Sequence, residues 1–455
     1  MGKDSESDSI AERRRALGAR LALRRKARGL TQHQVARATR YERTAISHIE
    51  RGERRLDERF WRTVDDLLEA GGALLDEYRK VCAAEREQKV REQQRRLAEL
   101  IENADNWRPN DGFPVTNSEV PWDPMRRRTL MKWGLATSAA GALTGLGGDT
   151  AGKVGANDVD RVRQAMARLF LQDQQHGGDP LWQAAAAQAD HGSVMLEHGT
   201  YTEAVGRQLL KTVGQFKVRA GWLAFDAGHH DIARDCYTDA LILARQCSNH
   251  EVEAHALKNL AFQSSRLGMP REALRCAQAA ERVSLSSDCP PELAVTAQLE
   301  RARAHALLSD ARSSDRAIIS ARDTLEHLDG KYSDQWFTFL SQAEIDAFEA
   351  SCSLSLGRAS RAETLTERCI SGYDSTFARN IAMNRVRLAR ARLDADAVDG
   401  AVEAADAALD QLAGARIASW RVRNDLADVA RGLAAHPKTP GVDQFLNRYS
   451  VLSKE

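Results

Sequence analysis

At 455 residues, with 43% hydrophobic and 28% charged side chains, the chain has the length for two or three domains and a globular composition, which excludes a disordered or fibrous protein. Its formal net charge of +1 conceals a segregation, because residues 11–55 hold fourteen Lys or Arg against four Glu while the remainder is net acidic. An electrostatic footprint for nucleic acid is therefore confined to the N-terminal part.

Met1–Ile10 is polar and acidic and reads as no signal peptide. The stretch Gly29–Gly52, GLTQHQVARATRYERTAISHIERG, reads as two short helices around a tight turn. Thr31 can cap the first helix through its hydroxyl, and Gln34, three residues on, can complete a capping box. That helix runs to about Thr39, and the turn occupies 40–42. Beyond it Ile46 and Ile49 share one face, Arg43, Thr44, Ser47 and His48 project elsewhere, and Gly52 stops the helix.

On these residues, Gly29-Leu30-Thr31-Gln32 at the start and Ile46-Ser47-His48-Ile49-Glu50-Arg51-Gly52 at the end, the first 80 or so positions resemble the lambda-repressor-like, or Xre-like, helix-turn-helix family. The resemblance implies a second helix lying in the major groove of double-stranded DNA. Arg43, Thr44 and His48 would face base edges, Gln32 and Arg51 would face the backbone, and Ser47 and Arg54 complete the expected DNA-binding set. Arg43 suits guanine, since its fork can donate to O6 and N7 together. Arg25 matches the family's first-helix Arg, which pairs structurally with the Glu present here as Glu50. Two positions depart from the pattern: Arg40 replaces the usual turn Gly, and Glu42 replaces the usual capping Ser. Were Thr44 to cap instead, the recognition helix would start later and Arg43 would move onto the backbone.

Phe60, Trp61, Val64, Leu67 and Leu68 recur at helical spacing and close the small domain's core. From 74 to 101 the chain is helical but dominated by Arg, Glu and Gln. Ala83, Val90 and Leu97 fall a heptad apart with polar companions Glu87 and Gln94, which favours a charged spacer over a coiled coil. Residues 106–124, with four prolines, read as a linker. The segment 126–148 carries a twin-arginine-like opening and an apolar run of mostly Ala, Gly, Ser and Thr. It reads as a small-residue helix packed on protein more than as a membrane span. Residues 147–154, GGDTAGKV, nearly spell a phosphate-binding loop, but Val154 stands where the Mg²⁺-binding hydroxyl belongs and no strand leads in.

From Asp158 onward amphipathic helices follow one another with almost no strand signal. A repeat emerges: Ala233/Tyr237/Ala240, Ala273/Ala277/Ala280, Ala317/Ala321/Thr324, Ala362/Thr366/Cys369 and Ala401/Ala405/Ala408, with starts about 40 to 45 residues apart. Twelve residues upstream of each lies a second position, occupied by Gly221, Ala261, His305, Ala350 and Ala389. Helices at 158–172 and 180–198 begin the array, and helices at 417–431 and 442–452 cap it. The pattern is similar to tetratricopeptide repeats, whose helix pairs stack into a superhelix with a concave groove. On that frame Arg219, His255, Lys258, Asn259, Arg303, Asn384 and Arg387 fall on or near the groove, where Asn and Arg can bond a peptide backbone or a carboxylate.

No catalytic or metal signature is present. The seven cysteines (82, 236, 247, 276, 289, 352, 369) form no C-x-x-C pair, and they read as free thiols of a reducing cytoplasm. His229-His230-Asp231 reads as a helix start rather than a metal site, and neither G-x-S-x-G nor H-E-x-x-H occurs. Abundant Ala and an excess of Arg over Lys point to a GC-rich bacterial genome.

The expected fold is all-α. An Xre-like helix-turn-helix domain at 1–80 is joined by a charged helix and linker at 81–156 to an α-solenoid of tetratricopeptide-like hairpins at 157–455. The expected function is cytoplasmic, sequence-specific transcription regulation by a homodimer on double-stranded DNA, without enzyme activity or cofactor. The repeats would sense a peptide or protein ligand, or mediate dimerisation; regulators joining an Xre-like head to such repeats resemble the peptide-sensing quorum regulators. The rival reading is a signalling adaptor or scaffold built on the repeats and held at a membrane through 126–148.

Overall fold

The computed structural model describes residues 3–102, 153–176, 181–328, 337, 340–373, 377–415 and 419–452. The expected linker, the apolar segment 126–148 and most of the phosphate-loop-like stretch lie outside them. Of that stretch Val154 is described: it is buried, and its amide donates to the Thr200 carbonyl in an isolated parallel bridge between Lys153 and Thr200. The chain divides into two compact units, Met1–Glu99 and Leu100–Glu455. The described residues form nineteen helices, and none is long and apolar enough to cross a membrane.

The first unit contains α1 (Lys3–Ala27), α2 (Gln32–Thr39), α3 (Arg43–Glu50), α4 (Glu58–Leu67) and the long α5 (Ala73–Glu102). Its core joins Leu17 and Leu21 of α1, Val35 of α2, Ile46 and Ile49 of α3, and Phe60, Trp61 and Val64 of α4. The aromatic chain Tyr41, Phe60, Trp61, Tyr78 links the turn, α4 and α5 through ring contacts of 5.4 to 5.7 Å. Local caps set the ends. Asp57 accepts from the Phe60 amide at 2.9 Å, and buried Asp65 accepts from the Gly72, Leu74 and Leu75 amides, which supplies partners to unsatisfied donors at the start of α5. Of the five residues expected to close this core, Leu67 is only half-buried; the other four are buried. Val90, on the heptad of α5, is exposed.

The second unit is a stack of helical hairpins. It opens with α6 (Ala156–His176) and α7 (Trp182–His198), followed by the pairs α8 (Glu203–Asp226) with α9 (His230–Gln246) and α10 (His250–Arg266) with α11 (Pro270–Ser284). Next come α12 (Glu292–Leu307) with α13 (Ala311–Glu326) and α14 (Gln342–Ser355) with α15 (Ala359–Gly372). The stack closes with α16 (Ala378–Asp394) on α17 (Val398–Ala415) and α18 (Trp420–Leu433) before α19 (Val442–Leu452). Each first helix packs on its own second helix and on neighbouring first helices, as stacked tetratricopeptide-like hairpins do. The small-residue triplets all fall on second helices and are fully buried apart from the half-buried Thr324. The upstream positions lie on first helices, where Gly221, Ala261, Ala350 and Ala389 let the two backbones approach and His305 is the exception. At Gly221 a Cβ would stand 2.6 Å from the Tyr237 ring, so the repeat's one large residue is matched by its one glycine.

The array turns back on itself. Asp226, at the end of α8 and fully buried, accepts from the Ser419 hydroxyl at 2.9 Å and pairs with Arg379 at 3.2 Å and Arg421 at 3.3 Å. Trp420 packs beside Gly228 and against His230. The hairpin of α18 therefore meets that of α8, and side chains of several first helices gather on one inner side, where Arg421 lies over the Trp222 and Phe262 rings and Arg303 over those of Phe262 and Phe348. His230 opens α9 with Asp231 in its first turn, as expected of a helix start, and no metal-binding cluster occurs among the described residues.

Candidate nucleic-acid interface and ligand face

The geometry of the first unit is set where α1, α2 and α3 meet. Thr31 and Gln34 form the expected capping box, with the Gln34 amide donating to Thr31 Oγ1 and the Thr31 amide to Gln34 Oε1. Arg40 adopts the left-handed conformation, φ 59° and ψ 33°, which a non-glycine residue adopts at a cost of roughly 1–2 kcal/mol. The turn thus keeps its geometry without the glycine. Glu42 occupies the N-cap of α3 with no side-chain cap bond, so the helix starts at Arg43 and the later start with Thr44 as cap is not adopted.

From that start, Ala45, Ile46 and Ile49 face the core, while Arg43, Thr44 and His48 are exposed, with Ser47 half-buried between them. Arg51 and Arg54 are exposed just beyond the helix. Glu50, the last residue of α3, ties the three helices together. Arg25 of α1 donates to it at 2.5 and 3.0 Å, Gln32 of α2 donates to it at 2.8 Å, and Arg25 also donates to the Leu30 carbonyl at 2.8 Å. The pairing raises the Arg25 pKa. Gln32, expected at the DNA backbone, has its side-chain amide engaged with Glu50.

Two glycines let α3 sit this close to α1. A Cβ on Gly18 would stand 2.3 Å from the Ile49 carbonyl oxygen, and one on Gly52, whose φ is 76°, would stand 2.7 Å from the Arg15 amide nitrogen. Sequence reading identified Gly52 as a helix stop and passed over Gly18, whose only signal is a glycine inside a helix. Glu53 was also missed. It contacts His48 at 2.7 Å and Arg51 at 3.0 Å, and these partners hold its carboxyl below the usual range, His48 most strongly.

In the second unit the expected groove residues all lie on first helices: Arg219 on α8, His255, Lys258 and Asn259 on α10, Arg303 on α12, Asn384 and Arg387 on α16. Arg219, Asn259, Arg303 and Asn384 are buried and the other three half-buried. Acidic and aromatic neighbours that the sequence reading did not select complete the face. Arg303 donates to Glu300 at 2.7 Å, and its guanidinium lies between the Phe262 and Phe348 rings, 4.8 and 4.2 Å from their centroids. Arg421 lies 5.1 Å from the Trp222 ring centroid, and His255 stacks on Phe337 at 5.7 Å. Glu344 accepts from the Tyr373 hydroxyl and from Asn380. Burial pushes Lys258 down to about 8 against the pull of Glu300 and Glu344, holds His255 far below its ordinary value, and raises both glutamates.

Fold and surface together define a helix-turn-helix protein with a C-terminal array of helical hairpins. Residues 16–78 match the family described as "Helix-turn-helix domain", so the first unit carries a helix-turn-helix domain. Among solved structures, the chain is similar to a Rap protein crystallised in complex with competence and sporulation factor. The similarity has 13% identity and a TM-score of 0.39, and it covers 73% of this chain and 97% of the other. No curated protein matches the chain.

Proposed function

We propose that this chain is a sequence-specific DNA-binding transcription regulator of the cytoplasm that acts as a homodimer, with α3 as its reading helix and the hairpin array as a ligand-receiving module. The observation that carries the first part is the start of α3 at Arg43. It leaves Arg43, Thr44 and His48 exposed, with Arg51 beyond, while Ile46 and Ile49 anchor the helix to the core. On this reading Arg43, in the first turn, donates to a base edge, and Arg51 to a phosphate. Dimerisation follows from surface economy, because one module of this size buries too little DNA for useful affinity alone. The inner face of the repeats supports the second part: it lines charged and aromatic side chains along facing helices, the composition of a receptor groove and not of a hydrophobic core.

Selection of bound duplexes from a random pool by the full-length protein tests this reading. The expected result is one enriched, near-palindromic site, with affinity falling steeply as salt rises. Binding without enrichment, or no binding at low salt, refutes the DNA-reading role.

A further inference from the structure

The inner face carries more positive charge than it neutralises. Among the described residues it brings together six cationic side chains, Arg219, Lys258, Arg303, Arg379, Arg387 and Arg421, against the carboxylates Asp226, Glu300 and Glu344. Those carboxylates are already committed. Asp226 holds Arg379 and Arg421, Glu300 holds Arg303, and Glu344 takes Tyr373 and Asn380. Three cations remain; Arg219 has an interaction of its own, and the other two bond no carboxylate directly. Lys258 makes no hydrogen bond and no ion pair among the described residues, and the only polar contact of Arg387 there is the Asn384 amide oxygen. Both side chains lie where Arg303 and Glu344 bear on them electrostatically. Both are half-buried and feel Glu344 without bonding it, and two partly desolvated cations on one face with no directly bonded counter-charge are what a site for an anion requires. The half-buried Phe262 and Phe348, whose rings clasp Arg303, add apolar surface beside them.

We propose that the face between α10 and α16 binds a carboxylate attached to an apolar group, with Lys258 and Arg387 holding the anion and the Phe262 and Phe348 side accommodating the apolar part. This rests on the reading of the repeats as a ligand-receiving module and gives that ligand its chemistry. A free peptide C-terminus and a small aromatic acid share this chemistry. Asn259, whose buried amide oxygen has no hydrogen-bond partner among the described residues, is available to an amide group of the first.

The test uses full-length protein and the fluorescent apolar anion anilinonaphthalene sulfonate as reporter. It is displaced by 4-phenylbutyrate, by a random pentapeptide pool with free C-termini, or by the same pool amidated. The expected result is saturable reporter binding, displaced at lower concentration by the free-carboxylate pool than by the amidated pool. Displacement by phenylbutyrate as well would extend the same site to small acids. Lys258→Met and Arg387→Met should each weaken reporter binding and displacement about tenfold or more, and Lys258→Arg should restore them. Without ligand, Lys258→Met should melt no lower than wild type, because it removes an unpaired charge; a residue with only a structural role would show the reverse. Equal potency of the two pools, or unchanged affinity in both Met variants, overturns the carboxylate site while leaving a ligand-receiving array intact. If no probe binds wild type, the proposal and the reading beneath it fail together.

Discussion

Replacing Glu50 with Ala removes the one group that joins all three helices of the reading head. The Arg25 and Glu50 side chains are 10% and 8% exposed, so their pairing is scarcely screened by water. Truncating one partner leaves the other charge buried, which costs about 3–5 kcal/mol. Here Arg25 keeps its bond to the Leu30 carbonyl, which favours the lower end, while Gln32 loses its acceptor as well. Against a domain stability of roughly 5–15 kcal/mol this is a large share, and about 3 kcal/mol corresponds to roughly a hundredfold change in the opening equilibrium. Hydrogen exchange by mass spectrometry on the full-length protein reads this locally. Amides of α3 should exchange roughly a hundredfold faster in Glu50→Ala, with those of α10 to α15 unchanged. The double variant Arg25→Met/Glu50→Leu, which replaces the ion pair by apolar groups, should regain most of the protection, since such exchanges are often neutral or stabilising. Exchange in α3 within threefold of wild type for the single variant, or no recovery in the double, would refute the view that Glu50 acts through its buried charge pair.

Other perturbations separate reading from folding. Arg43→Ala should cost about 1–3 kcal/mol on the selected site and relax preference at one base, whereas Arg51→Ala should weaken all duplexes alike and lower the salt slope by about one; competition binding across single-base variants distinguishes them. Glu53→Gln should tighten binding to every duplex, because it removes a negative charge beside His48 and Arg51, and the measurement is the same titration at two salt concentrations. Gly18→Ala should destabilise the first unit by about 1–3 kcal/mol through its clash with the Ile49 carbonyl, visible as faster exchange in α1 and α3. Asp226→Asn should lower the melting temperature of the repeat array, since the buried Arg421 loses its counter-charge. Lys258 releases its proton near pH 8 when folded but near 10.4 when unfolded, so between those values the unfolded chain binds more protons and stability rises with pH. The melting temperature of wild type should therefore gain on that of Lys258→Met as pH is raised from 7.5 to 9.5.

The repeat frame was legible because it rests on volume. Where a second helix lies flat on its partner, only Ala, Gly or a small polar residue fits, and that demand recurs once per hairpin whatever the surface does. Gly221 facing Tyr237 shows the rule at its limit, with one side emptied to seat the other. The helix-turn-helix was legible through its caps and its Ile46/Ile49 stripe. The conformation of Arg40 was not, because a left-handed arginine costs little enough that its neighbours can impose it. Closure of the array also left no trace. The Asp226 contacts span 153 residues to Arg379 and 193 to Ser419, and they arise from small rotations accumulated over several hairpins, which no local pattern encodes.

The ligand face illustrates what a frame can supply and what it cannot. Knowing which face of each first helix turns inward selects Arg219, Lys258, Asn259, Arg303, Asn384 and Arg387 as a class, but it selects them by their capacity to bond a ligand and passes over what they bond within the chain. On α10 the same stripe continues from His255 through Lys258 and Asn259 to Phe262. On α12 it holds Glu300 beside Arg303, and on α14 Glu344 beside Phe348. Taking every residue on that stripe, acidic and aromatic as well as basic, matches each carboxylate to a named arginine, hydroxyl or amide; Arg219 has an interaction of its own, and Lys258 and Arg387 remain. Two half-buried cations with no directly bonded carboxylate add a desolvation cost that an apolar side chain at either position would avoid, which is the ground for reading them as ligand-binding residues. On the proposed reading, the ligand chemistry of the array lies in the residues left over after its internal pairs are made.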